Sequence, residues 1–187
     1  MAKKSTRNTR GRIVSAAWKL FYEQGYEDTT VEEIIELSGT SKGSFYHYFD
    51  GKDALLSTLS SLFDEKYEEL TGLLTPEMTA MEQLLFLNRE LFHMIEDSIS
   101  LDLLARLYST QLTTNGEKHL LDHNRIYYKL LRKIIAKGQS EGQLSSRSNV
   151  NEMVKLYALC ERALLYDWCL CAGEYALTEY SAKVLPG

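Results

Sequence analysis

The sequence predicts an all-α protein, with a small three-helix unit at the amino end carried on a larger helical body. Three observations predict it. Only two prolines, Pro76 and Pro186, interrupt the 187 residues. Runs of Leu, Glu, Lys and Ala dominate, and these side chains lose little rotamer freedom in a helix. Apolar residues recur at spacings of three and four rather than alternating. Hydrophobic residues make up 44% of the chain and charged residues 25%, a composition that builds an ordinary core.

The first helix reads TRGRIVSAAWKLFYEQG. Ile13, Ala16, Ala17, Leu20, Phe21 and Gln24 form one stripe of a 3.6-residue helix, and Gly25 is placed to end it. Thr30, with Glu33 three residues on, forms a capping box for a second helix, VEEIIELS, which Gly39 stops after about two turns. Ser41 caps a third, KGSFYHYF, and Asp50-Gly51 makes a turn. A long helix is expected from Lys52, with Leu55, Leu59, Leu62, Phe63, Leu70, Leu73 and Leu74 on its apolar face, ending near Thr75-Pro76. The body then reads as helices over 79–97, 100–110, 117–141, 148–172 and 177–184, punctuated by Asn115-Gly116, Gly142 and Gly173. The expected domain boundary lies between residues 51 and 52. Short helices separated by Ser38-Gly39-Thr40 have the shape of a helix-turn-helix.

Charge is distributed unevenly. The net charge is −5, yet residues 1–12 hold Lys3, Lys4, Arg7, Arg10 and Arg12 and no acid. Residues 1–52 carry +1 and residues 53–187 carry −6. Screening beyond about 8–10 Å means a polyanion docking at the amino end feels that end. No uncharged stretch approaches the roughly 20 residues that span a bilayer, no cleavable signal pattern is present, and the expected location is cytoplasmic, with no membrane partner.

The third helix divides its residues by face. At 100° per residue, Phe49, Ser41 and Tyr48 lie within about 60° of Phe45 and form a packing flank. Gly43 and His47 lie about 160° and 200° away, with Ser44 and Tyr46 at the edges. Lys42 sits in the first turn, where the helix dipole favours anions. A helical flank with no side chain at its centre admits another surface, and a major groove about 12 Å wide accepts such a helix.

Residues of about 10–56 resemble the TetR family of bacterial transcriptional regulators. The shared pattern is A..LF...GY..T joined to T...I...SG.S.G.FY.YF..K..L. Ile35 stands where the family usually has alanine, and Thr40 where it usually has valine. The resemblance implies a DNA-binding domain on a ligand-binding and dimerisation domain. By position, Thr40, Lys42, Ser44 and His47 would face bases or nearby phosphates, with Gly43 permitting the approach. Thr30, Tyr46 and Lys52 would contact the backbone, and Arg10 and Arg12 would reach backbone or minor groove. Phosphate contacts give affinity and register, and base edges give sequence preference. A palindromic double-stranded operator is the expected partner.

More loosely, about 130–180 is similar to the family's body, which implies that the last two helices pair with a second copy. Val154, Tyr157, Ala158, Glu161, Ala163, Leu164, Leu165, Trp168 and Leu170 cover more than one side of their helix, so both sides must be buried. A ligand cavity is implied by the family, and the sequence permits one. Its candidate lining is Phe86, Leu87, Phe92, Met94, Leu103, Leu107, Tyr108, Tyr127, Leu131, Tyr157, Cys160 and Trp168, walls that suit a small hydrophobic or aromatic effector; each of these can equally be plain core.

Other chemistries find little support. His119 and His123 sit four apart with Asp122 between them and His93 elsewhere, but the glutamate of H-E-x-x-H is missing and no metal is expected. Cys169-x-Cys171 is poor disulfide geometry on a helix. A protein-interaction or redox-sensing module using Cys160, Cys169 or Cys171 is the alternative reading. Asp167 and Glu161 read as surface or dimer-facing charges. No nucleophile with a positioned base, metal set or phosphate loop is visible, so neither an enzyme nor a cofactor is expected. The function predicted is a ligand-responsive transcriptional regulator, a repressor released from its operator by the effector.

Overall fold

The computed structural model describes residues 2–113 and 118–186, with side chains from Thr9 onward. The turn expected at Asn115-Gly116, the helix start at Glu117 and the side chains of Lys3, Lys4 and Arg7 lie outside the described residues. The described residues form ten α-helices and no strand: α1 (Ala2–Glu23), α2 (Val31–Ser38), α3 (Lys42–Tyr48), α4 (Lys52–Leu56), α5 (Leu59–Thr71), α6 (Ala80–Ser98), α7 (Leu101–Thr113), α8 (Ile126–Ser140), α9 (Val150–Leu170) and α10 (Leu177–Val184). The chain forms two compact units that meet between Leu59 and Ser60, eight residues past the expected boundary at 51/52.

The amino-terminal unit gathers α2 and α3 against α1. Ile13, Ala17, Phe21, Ile34, Phe45 and Leu55 are all buried, the stripe residues of α1 meeting the apolar faces of the shorter helices. The basic arm is itself helical, since α1 begins at Ala2 rather than near Thr9. Residues 52–58 belong to this unit for identifiable reasons. Leu55 and Leu56 are buried, and the Trp18 indole donates to Thr58 Oγ1 at 2.8 Å. The long helix expected from Lys52 is broken at Ser57-Thr58. There the two hydroxyls donate to the carbonyls of Ala54 and Leu55 at 2.7 and 2.6 Å. Side-chain hydroxyls that take helical carbonyls compete with continuation of the helix.

In the second unit α6 packs on α8 and α10, while α9 lies against α7, α8 and α10. Gly138 permits the close approach of α8 to α6, because a Cβ there would stand 2.5 Å from the Ala80 Cβ. The expected helix over 117–141 is shorter than its apolar pattern. A 3-10 turn at His119–Leu121 precedes α8, which starts at Ile126. The carboxylate of Glu96 accepts the N–H groups of Leu177 and Thr178 at 2.5 and 3.1 Å and so caps α10 from α6.

Three capping boxes start α2, α6 and α9, from Thr30, Thr79 and Asn149. In α6 the backbone N–H and hydroxyl of Thr79 both donate to Glu82, at 2.8 and 2.9 Å, and these bonds hold the Glu82 carboxyl below its ordinary range. Loss of a threonine cap costs about 1 kcal/mol, so Thr79→Ala is expected to lower the urea midpoint by that equivalent. A carboxyl with depressed folded pKa contributes above its unfolded value and loses that contribution as pH falls through the folded one. The difference between Thr79→Ala and wild type should therefore shrink below about pH 4.

Candidate nucleic-acid interface and effector cavity

The third helix is held by its aromatic flank. Phe45 is 0% exposed and meets Phe49 at 5.9 Å and Tyr46 at 5.2 Å between ring centroids. Ser41 caps the helix, its Oγ accepting from the Ser44 N–H at 3.1 Å. Gly39 before it is left-handed, with φ 59°, a conformation that favours glycine, and the Arg12 guanidinium lies over it.

The opposite flank is open. Gly43, Lys42 and His47 are exposed, Ser44 is half-buried, and Tyr46 keeps 45% of its surface. A Cβ at Gly43 would meet nothing within 4 Å. His47 stands edge-on to Tyr48 at 4.8 Å, which leaves Tyr48 half-buried rather than fully on the packing flank. Lys42 Nζ lies 3.5 Å from Glu32 in a well-exposed pair, which is worth little and exchanges readily for a phosphate. Thr40, half-buried, shares a hydrogen bond with Ser38 at 2.8 Å, and Thr30 is exposed at its cap.

Two expected contacts point inward instead. Lys52 Nζ donates to the carbonyls of Tyr26 at 2.6 Å, Glu27 at 3.2 Å and Thr29 at 2.9 Å and lies 4.3 Å from the Tyr26 ring centroid. Its ammonium thus closes the loop after α1. Arg12 Nη2 donates to the carbonyls of Ser38 and Gly39, completing the open end of α2. Both cations fix the unit's shape. Arg10 is exposed, its guanidinium 5.4 Å from the Phe49 ring centroid.

The body contains an inner cavity of about 50 Å³, lined by Phe63, Tyr67, Leu91, Phe92, Tyr108, Leu120, Arg125, Tyr127, Glu161, Arg162 and Leu165. An outer cavity of about 360 Å³ shares Tyr108, Leu120 and Arg162 with it and adds Leu112, Leu121, Leu159 and Tyr166 among its walls. Of the expected lining, Phe92, Tyr108 and Tyr127 are in place. Leu103, Leu107, Leu131 and Trp168 are buried in the core outside both cavities, as is Leu87. Tyr157 donates to the Leu84 carbonyl at 2.8 Å, Cys160 and Met94 are half-buried elsewhere, and Phe86 lines a surface groove with Met78 and Ala182.

Glu161 overturns its expected place at the surface or dimer face. It is 4% exposed and accepts from Asn88 Nδ2 at 2.8 Å and Tyr127 OH at 2.5 Å. Burial pushes its pKa up, opposed by those two hydrogen bonds and the nearby Tyr157 hydroxyl. Burial, and then the Glu161 charge, likewise raise Tyr67, Tyr127 and Tyr157. The signal in the sequence was a carboxylate at heptad spacing from Val154 and Trp168, on a stripe of buried apolar residues. Arg125 was also missed. Its guanidinium grips Asp64 with two bonds of 3.0 Å and donates to the Ser60 carbonyl at 3.1 Å, joining the start of α8 to α5.

The sulfur and imidazole clusters do not assemble. Burial pushes the Cys169 thiol up to about 11, and burial with Asp167 and Glu174 raises Cys171, so both hold the proton that an oxidation sensor must release. Among the described residues no group of three or more His, Cys, Asp or Glu is placed to hold a metal ion. His119 lies in the 3-10 turn and His123 beyond it, so no helix face unites them. No helix among the described residues is long and apolar enough to cross a membrane.

A buried aromatic flank and an open flank around Gly43 give the amino-terminal unit the form of a helix-turn-helix, and the separate helical body holds a cavity. Residues 13–59 match the family described as "Bacterial regulatory proteins, tetR family". The regulator QacR of Staphylococcus aureus is 36% identical over 62 residues, 33% of each chain. A Lactococcus lactis HTH-type regulator is 39% identical over 29% of each chain, so the chain spans about a third of the length of these curated relatives. The fatty acid metabolism regulator protein of Bacillus subtilis is 23% identical over 93% of this chain and 90% of its own. Thermus thermophilus FadR, a transcriptional repressor solved with lauroyl-CoA, superposes with a TM-score of 0.79 at 25% identity, covering 95% of this chain and 91% of FadR. The amino-terminal unit thus carries the pattern of the TetR family of bacterial regulatory proteins, and the chain as a whole is similar to solved regulators of that family.

Proposed function

We propose that the protein is a cytoplasmic, dimeric transcriptional repressor that binds a palindromic operator and is released by a small apolar or aromatic effector. The observation that carries this reading is the open flank of α3: an exposed glycine between Lys42 and His47, backed by a fully buried Phe45. Gly43, Ser44 and His47 meet the groove, and Lys42, Thr30, Thr40, Tyr46 and Arg10 meet phosphates or base edges near them. Lys52 and Arg12 act by shaping the unit. The protein works by binding and not by catalysis.

The second copy is supported by α9 and α10. Buried Val154, Ala158, Glu161, Leu165 and Trp168 mark one side of α9, while Leu156 and Leu170 are exposed on another, at 62 and 66%. Tyr180 and Val184 extend the exposed apolar surface on α10. An apolar surface of that extent marks an interaction site, and two-fold pairing presents two recognition helices to two half-sites about one DNA turn apart.

The effector occupies the inner and outer cavities, which share Tyr108, Leu120 and Arg162 as walls. To move the protein from 99% bound-competent to 1%, an effector must prefer the other state about 10⁴-fold, about 5.5 kcal/mol. Selection of bound sites from random duplex DNA tests the reading. Enrichment of an inverted repeat is expected; recovery of random sequence, or of none, contradicts it. Binding to the selected site should weaken log-linearly with salt at a slope of about −0.9 per phosphate contacted.

A further inference from the structure

The inner cavity is apolar on most of its wall, and its charged groups are Glu161, Arg125 and Arg162. Glu161 stands there with hydrogen bonds from the neutral donors Asn88 and Tyr127, and the Tyr157 hydroxyl, which also reaches the Leu84 carbonyl, and the Arg162 charge lie close enough to favour its ionised form. An ionised carboxylate offers about four acceptor sites, so Glu161 retains capacity for a further donor. Stability alone does not ask for a carboxylate in this place, because buried charges rarely gain over apolar residues of similar size. The cavity's volume of about 50 Å³ matches one or two water-sized groups, given that a water occupies about 30 Å³ in the liquid. The larger, apolar body of a ligand has room only in the outer cavity of about 360 Å³.

We propose that the effector enters with a hydrogen-bond-donor end, a hydroxyl or an ammonium, which docks on Glu161 inside the ring of Tyr67, Phe92, Tyr108 and Tyr127. This rests on the proposed effector cavity and names the chemistry of the group that fills its depth. A methyl end pressed against Glu161 would remove solvent from the carboxylate without replacing it, and that is costly. A carboxylate end would meet the like charge of Glu161, while Arg125 on the same wall is already paired with Asp64 and Arg162 donates to the Tyr128 hydroxyl. A hydroxyl or ammonium completes the carboxylate's bonding, and an ammonium also gains from the surrounding ring faces.

The test is calorimetric titration of the full chain with an octyl series: octylammonium, 1-octanol, methyl octyl ether and octanoate. Octylammonium and 1-octanol are expected to bind at least about tenfold tighter than the ether and octanoate, the scale of one hydrogen bond to a buried charge. In Glu161→Gln, which keeps partners for Asn88 and Tyr127, the ammonium's advantage over the ether should fall to less than about threefold. An ether or octanoate that matches the alcohol in wild type overturns the proposal. So does absence of binding by all four, or an undiminished ammonium preference in a folded Glu161→Gln. The wild-type ranking decides alone if that variant does not fold. Operator binding without ligand, measured in parallel, separates the two readings: its loss contradicts the regulator function, whereas the octyl ranking addresses only the chemistry of the cavity.

Discussion

Replacing Tyr46 and His47 together by alanine is expected to cut operator affinity at least about 30-fold while leaving helicity and dimerisation unchanged. Both side chains are exposed, and only Tyr46 touches the core, its ring edge-on to Phe45 at 5.2 Å, so the double variant should melt only slightly earlier. Each direct base or phosphate contact is worth about 1–3 kcal/mol, and two separate contacts combine roughly additively. The single variants should divide the effect by role. His47→Ala, placed toward base edges, should relax sequence preference at one position in each half-site. Tyr46→Ala, placed toward the backbone, should weaken all sequences alike. Electrophoretic titration of the selected operator and of a scrambled duplex reads both. Unchanged affinity in the double variant would remove the third helix from the interface.

Phe45→Ala is expected to have the largest effect on stability. The ring is fully buried between Tyr46 and Phe49 and anchors α3 within its unit. Truncation of a buried phenylalanine costs about 3–5 kcal/mol. A unit of some 60 residues has a thin margin to absorb that loss. The amino-terminal unit should therefore melt well below the body, and DNA binding should vanish with it. Differential scanning calorimetry is expected to show an early transition in Phe45→Ala and none in Tyr46→Ala or His47→Ala. A single wild-type transition in Phe45→Ala would mean the ring is not the anchor described.

The contrast between these variants also shows what the sequence disclosed. The faces of α3 were legible because a seven-residue helix with four rings leaves few ways to pack, and the 100° step separates Phe45 from Gly43 and His47. The capping box at Thr30 placed one helix start, since Thr and Glu three apart satisfy each other locally. Cations were harder to assign. Lys52 and Arg12 look like phosphate ligands in sequence, but backbone carbonyls left open by the loop at Tyr26–Thr29 and by the end of α2 claim them first. The break at Ser57-Thr58 was hidden because a Leu-rich pattern continues across it. The hydroxyls decide there, not the apolar stripe.

The cavity was the least legible part. Aromatic side chains such as Trp168 and Tyr157 share their sequence signature with core, and only packing separates Phe92, Tyr108 and Tyr127 from them. Glu161 is informative in retrospect, as a charge on a buried stripe. It reads as dimer-facing until Asn88, from a helix 73 residues earlier, is brought against it.

Carbethoxylation of histidines, mapped by mass spectrometry, tests the central claim most directly. The chain has four histidines, and His47, His93 and His123 are all exposed. In free protein all three should react. With the selected operator bound, His47 should be protected at least about tenfold while His93 and His123 react as before. Equal reactivity of His47 with and without saturating DNA would contradict a groove-facing third helix.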